Sequence, residues 1–191
     1  MNADQLSKLP KDLIIYMVLE FNMDMNDIVS LCSSSKKLNK TLCESKSFWV
    51  SKLKKDYNIM YDSTLGDPRS IYVEGNVYFE KLGTKVRSRR ETYDINHLLW
   101  DASFSGNKRL VLTALHNGAD PSSTEPYVDG PTALTNAVLG GHVELFKFFQ
   151  GLAEYKFNIE EKNILLGLAS SYSNLSMVKY LIEEIDIKPN K

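Results

Sequence analysis

The 191-residue chain has no run of 18 apolar residues, so no membrane-spanning helix is expected. Its first residues, Met1-Asn2-Ala3-Asp4-Gln5, lack the basic n-region and apolar core of a secretory signal. Cysteine is scarce. Cys32 and Cys43 stand alone with no histidine near them, which excludes a zinc-ligand pattern and leads to an expectation of two buried, reduced thiols in an intracellular protein. Charge of one sign is lacking too. A net charge of −1 gives no broad attraction to nucleic acid or acidic lipid, so neither partner is expected. The three histidines, His97, His116 and His142, have no metal-ligand spacing. Neither a G-x-x-x-x-G-K-[ST] phosphate loop nor a G-x-S-x-G elbow occurs. The Glu160-Glu161 and Glu183-Glu184 pairs read as solvated helix ends. No catalytic residue, metal or cofactor is therefore expected, and the chain reads as a binding protein rather than an enzyme.

What is present is a repeat. Residues 128–149 read as a turn, a short helix, a break and a second helix. Asp129-Gly130 is a turn dipeptide, and Pro131-Thr132 suits a helix start. Gly140-Gly141 ends the first helix, since two glycines cost roughly 2 kcal/mol of helix propensity. Val143, Leu145, Phe146, Phe148 and Phe149 then form one wide apolar face. Ala137 has counterparts at Ala102 and Ala169, and Leu99, Leu134 and Leu166 each stand three residues before that alanine. Asn107, His142 and Asn174 each stand five after it. Spacing near 33 with a small residue between two short helices is a solenoid signature.

Residues 93–191 resemble an array of about three ankyrin repeats. Thr132-Ala133-Leu134-Thr135 stands where that family has T-P-L-H, Gly141-His142-Val143-Glu144 resembles G-H-L-E, and Gly118-Ala119-Asp120 is G-A-D. Gly118 is expected to cap the first repeat's outer helix, and 121–130 to form the protruding turn. The third repeat is degenerate: Ile164-Leu165-Leu166-Gly167 replaces T-P-L-H, and Ser173 stands where glycine is usual. The array is expected to be either lightly capped at its end or cut short. The resemblance implies that turn tips and inner helices hold a target protein, here through Trp100, Phe104, Ser105, Tyr127, Val128, Asp129, Pro131, Leu139, Ser171 and Tyr172, with burial against the 68–82 helix as the alternative for Trp100 and Phe104.

Residues 1–57 form a second block. Pro10 is placed in the first turn of a helix whose pairs Leu13/Met17 and Ile14/Val18 are expected to be buried. Asp24 suits the cap of a helix carrying Ile28, Leu31 and Cys32. Ser34 or Ser35 suits that of a helix carrying Leu38 and Leu42, and Ser45 or Ser47 that of one carrying Phe48, Trp49 and Leu53. The order Leu9-Pro10-x-Asp12-Leu13, Asp27-Ile28-Val29-x-Leu31, Ser35-Lys36-x-Leu38-Asn39-x-x-Leu42 and Phe48-Trp49 resembles an F-box. It departs at Leu38, where tryptophan is frequent, and at Met23, where Leu-Pro is common. A small helical cap with Met17, Met23 and Met25 as core filler is the plainer alternative.

Residues 58–92 read as a linker with a bridging helix that starts at Asp67-Pro68, ends near Gly83 and is open to a split at Gly75-Asn76. Its basic run, Lys81, Lys85, Arg87, Arg89 and Arg90, reads as a solvated face, with nuclear import or anion binding as the alternative. The expected fold is all-α: a three-helix F-box-like segment, a bridging helix and a helix-turn-helix solenoid. The F-box resemblance implies docking to the Skp-type linker of a cullin–RING ubiquitin ligase, with Leu9, Pro10, Leu13, Ile14, Ile28, Leu31, Leu38 and Trp49 forming or supporting the face. The repeats would hold an unidentified target. The alternative is a scaffold or inhibitor without a ligase. A monomer in the cytoplasm, or in the nucleus, is expected. Such combinations also resemble proteins of large DNA viruses, which would place it in host cytoplasm.

Overall fold

The computed structural model describes residues 3–86, 91–126, 130–153 and 158–184. They fall into two compact units, Met1–Glu80 and Lys81–Lys191. Both are helical, as the all-α expectation has it. One two-residue ladder pairs β1 (Lys85–Val86) with β2 (Glu91–Thr92).

The first unit contains α1 (Ala3–Ser7), α2 (Lys11–Glu20), α3 (Met25–Ser34), α4 (Lys36–Leu38), α5 (Lys46–Tyr57) and α6 (Pro68–Phe79). The helix starts have local causes. The Asp24 carboxylate accepts from the Asp27 N–H at 2.8 Å, Ser45 accepts from Phe48 N–H at 3.4 Å, and Asp67 accepts from Ser70 N–H at 2.9 Å with Pro68 in the first turn. Ser35 precedes α4 without a side-chain cap bond, and Pro10 is the residue before α2 rather than in its first turn. The core gathers Ile14, Val18, Ile28, Leu38, Leu42, Phe48, Trp49, Leu53, Ile71 and Phe79. The indole of Trp49 donates to the Cys43 carbonyl at 3.0 Å, and its ring meets Phe48 edge-on.

Four expectations are corrected in this unit. Leu13 is 42% exposed and Met17 half-buried, because Ile14 and Val18 occupy the inward stripe of α2. The helix carrying Leu38 and Leu42 does not stay α-helical: Asn39–Cys43 is a π-turn, with Glu44 N–H donating to Asn39 O. The wider turn lets the consecutive residues Thr41, Leu42 and Cys43 all be buried. Cys32 and Cys43 are not thiols but a disulfide closing α3 onto that turn. Finally, α6 runs unbroken through Gly75, whose missing side chain leaves room for the Phe79 ring, and it packs on α5 within this unit.

The second unit carries α7 (Ile95–Ser105), α8 (Lys108–His116), α9 (Ala133–Leu139), α10 (Val143–Ala153), α11 (Ile159–Ser171) and α12 (Leu175–Glu183). They are three helix pairs. α7 packs on α8 and α9, α9 on α10 and α11, and α11 on α12. The recurring alanines Ala102, Ala137 and Ala169 are fully buried where inner helices approach one another. Asn117 caps α8 and Gly118, at φ 90°, follows it, one residue later than expected for the glycine. After α8 a bridge pairs Thr124 with Thr132. Thr132 then caps α9, accepting from Thr135 N–H at 3.3 Å.

Candidate functional site

Each pair in the second unit turns at a residue with left-handed backbone: Gly106 (φ 76°), Gly141 (φ 77°) and Ser173 (φ 57°). The residue after each turn starts the outer helix, and from the second repeat onward it also reaches back. His142 Nε2 lies 2.9 Å from the Phe104 carbonyl, so Nε2 carries the donated proton. Asn174 Nδ2 donates to Leu139 O at 2.6 Å and to Val138 O at 3.3 Å. These are equivalent bonds, each satisfying a carbonyl at the end of the preceding inner helix. A side chain at Gly141 would meet Asn174 at 2.7 Å, and one at Gly106 would meet the His142 ring. The glycines are thus required by φ and by the next repeat together.

This stacking places the anticipated target-binding residues. Phe104, Leu139 and Ser171 hold equivalent places at the ends of α7, α9 and α11. Phe104 is 47% exposed, Leu139 half-buried and Ser171 exposed. Ser105 and Tyr172 are exposed beside them, and Pro131 is half-buried at the turn. Trp100 does not join this surface. It is buried, its indole N–H donates to Ser123 O at 3.2 Å, and His97 lies against its ring. It anchors the segment after α8 at Ser123 instead. Tyr127, Val128 and Asp129 lie outside the described residues, as do Arg87, Arg89 and Arg90 of the basic run. Lys81 sits over the Tyr93 ring.

In the first unit the eight anticipated docking residues divide. Ile14, Ile28, Leu38 and Trp49 are core and can only support a face from beneath. Pro10 and Leu13 are exposed, Leu9 and Leu31 half-buried. Lys37 donates to Leu9 O at 2.8 Å and holds the Leu9-Pro10 entry to α2. Two further residues extend the face: Tyr16 is 60% exposed and Phe21, just past the end of α2, is 72% exposed. Tyr16 follows Leu13 by three, a spacing visible in the sequence, but the sequence does not say which stripe of α2 faces inward.

Among the described residues no cluster of three or more His, Cys, Asp or Glu could hold a metal ion. His97 is occupied in the capping box of α7 with Asp94, and His116 lies in the last turn of α8. No helix is long and apolar enough to cross a membrane, among the described residues.

The stacked pairs and their reach-back bonds define a helical repeat array built to present a surface. Residues 99–191 match the family model of ankyrin repeats, in three copies. No curated protein and no solved structure matches the chain. Ankyrin repeats are a protein-interaction module.

Proposed function

We propose that the chain is a substrate-recognition adaptor of a Skp–cullin–F-box type ubiquitin ligase. The first unit docks the Skp-type linker, and the repeats hold a target. The observation that carries this reading is the group of exposed apolar side chains on and just beside α2: Pro10, Leu13, Tyr16 and Phe21. These side chains stay in solvent although α2 has a fully buried stripe at Ile14 and Val18. Large apolar side chains left exposed together on one short segment support an interaction site. The F-box-like order of residues names the partner. The mechanism is proximity: one chain holds target and ligase together and raises their effective concentration. The ubiquitin-transfer chemistry resides in the ligase, so the adaptor is not an enzyme and needs no cofactor. It acts as a monomer.

The test is capture of a purified Skp-type linker by the full chain. Binding is expected, with loss on Leu9→Ala/Pro10→Ala. No binding, or equal binding by the variant, removes the ligase role and leaves a scaffold or inhibitor.

A further inference from the structure

A cavity of about 470 Å³ opens in the second unit between the turn at Pro121-Ser122, the start of α9, the end of α10 and the first turns of α11. Its size falls in the range of about 300–1,000 Å³ typical of ligand sites. Its walls are Leu134, Phe149, Leu152, Ile164 and Leu165, with few polar groups between them. The cavity follows from a departure in the third repeat. Ile164 holds the place that Thr132 holds in the second, yet α11 begins at Ile159, capped by Asn158 and Glu161. Helix therefore replaces turn on one side of the opening. Ile164, 53% exposed, and Leu152, 52% exposed, are left at its mouth.

The hydroxyls at the wall are engaged within the chain. Thr135 Oγ1 donates to Thr132 O at 2.9 Å, and Ser122 Oγ donates to Asp120 Oδ1 at 2.7 Å. What the wall offers an occupant is apolar contact. The edge adds charge of predominantly one sign. Glu161 lines the cavity, and Glu160 and Asp120 adjoin lining residues and are exposed. Lys162 is the one cation that adjoins a lining residue in sequence, among the described residues. The Ser122 hydroxyl and N–H hold the Asp120 carboxyl below its ordinary range, so it is ionised at neutral pH.

We propose that this cavity receives bulky apolar side chains of a partner segment whose flanking residues are lysine or arginine. The apolar wall supplies the anchor site, and the carboxylates at the edge select basic neighbours. The proposal rests on the repeats being the target-holding arm and specifies the chemistry of that target.

A random-peptide display library panned on the full chain tests it. Hits are resynthesised with fluorescein and titrated by anisotropy. Enrichment of apolar pairs flanked by Lys or Arg is expected. Ile164→Glu and Leu152→Glu should each weaken binding by about tenfold or more, and added salt should weaken it further. Both positions are half exposed, so folding should persist, and circular dichroism checks it. Should one variant unfold, the other carries the test. The proposal is overturned if no sequence is enriched, if acidic or uncharged peptides bind as well, or if neither substitution matters. A dimer dispersed by Ile164→Glu would assign the cavity to a second copy and also overturn it. Linker capture is measured on the same proteins. Its failure with peptide binding intact removes the ligase reading alone, while lost peptide selectivity with linker capture intact removes only this proposal.

Discussion

Lys52 lies at 1% exposure in the first unit, with its Nζ 2.7 Å from Asp56 Oδ2. Tyr72 donates to the same oxygen at 2.7 Å, and Tyr57 donates to Asn76 at 2.6 Å beside it. Asp56 Oδ1 is buried without a partner. A buried ion pair of this kind is costly to break from one side, because the remaining charge has no water. Lys52→Met should lower the first unit's stability by about 3–5 kcal/mol. Lys52→Met/Asp56→Leu should recover most of it, as read by urea denaturation. Equal losses in the two variants would contradict this. Tyr72 adds a pH dependence. Burial first, then hydrogen bonds with Tyr57 and Asp56, raise its phenol well above the tyrosine range. The folded state therefore holds that proton more tightly than the unfolded one. Its contribution is complete below the unfolded pKa of about 10 and is lost as pH rises through the folded value. Tyr72→Phe should flatten the alkaline side of the stability profile.

At the scale of the element, the three inter-helix turns share one backbone requirement and meet it unequally. Ser173 adopts φ 57° where the other repeats have glycine. A left-handed backbone costs a residue with a side chain about 1–2 kcal/mol, so Ser173→Gly should stabilise the repeat segment by about 1 kcal/mol. Gly141→Val should do the reverse. It adds that cost and displaces Asn174 from its two carbonyls, each bond contributing about 1 kcal/mol. A melting transition unchanged by Gly141→Val would refute the stacking described. In the first unit the Cys32–Cys43 bridge closes a loop with a sequence separation of 11. Restricting the unfolded chain by such a loop stabilises by about 3 kcal/mol. A dithiol reductant should lower the first unit's melting temperature, and Cys32→Ser/Cys43→Ser should make it insensitive.

At the scale of the whole molecule the two proposed activities reside in separate compact units, Met1–Glu80 and Lys81–Lys191. They should be separable by substitution. Leu13→Glu/Tyr16→Glu replaces exposed side chains on α2 and leaves the Ile14 and Val18 stripe intact. Linker capture should fall by at least roughly tenfold, as expected where exposed apolar anchors are removed. The melting curve and peptide binding by the repeats should not change. Loss of both activities, or of neither, would count against the division of labour.

The repeat period, the helix starts at Asp24, Asp67 and Thr132, and the break at Gly140-Gly141 were legible from the amino-acid order alone, while the cap of α5 stayed open between Ser45 and Ser47. Each is a local matter, set by a cap within three residues, a glycine or a fixed spacing. The anticipated surface residues were only partly legible. A spacing of three or four shows that Leu13, Ile14, Tyr16 and Val18 share a helix but not which stripe a neighbour covers. Trp100 looks like a surface anchor until the Ser123 carbonyl is found beside its indole. The π-turn that brings Cys43 to Cys32 leaves no mark in a period or a motif, because it depends on packing between α3 and its neighbours. The early start of α11 is written in the capping-box spacing of Asn158 and Glu161, but only the stacking of the repeats shows that it opens a cavity. The sequence by itself determined that the molecule is helical, where many of its helices start and that its second half repeats. Tertiary packing alone decided which apolar side chains became core and which stayed outside for a partner.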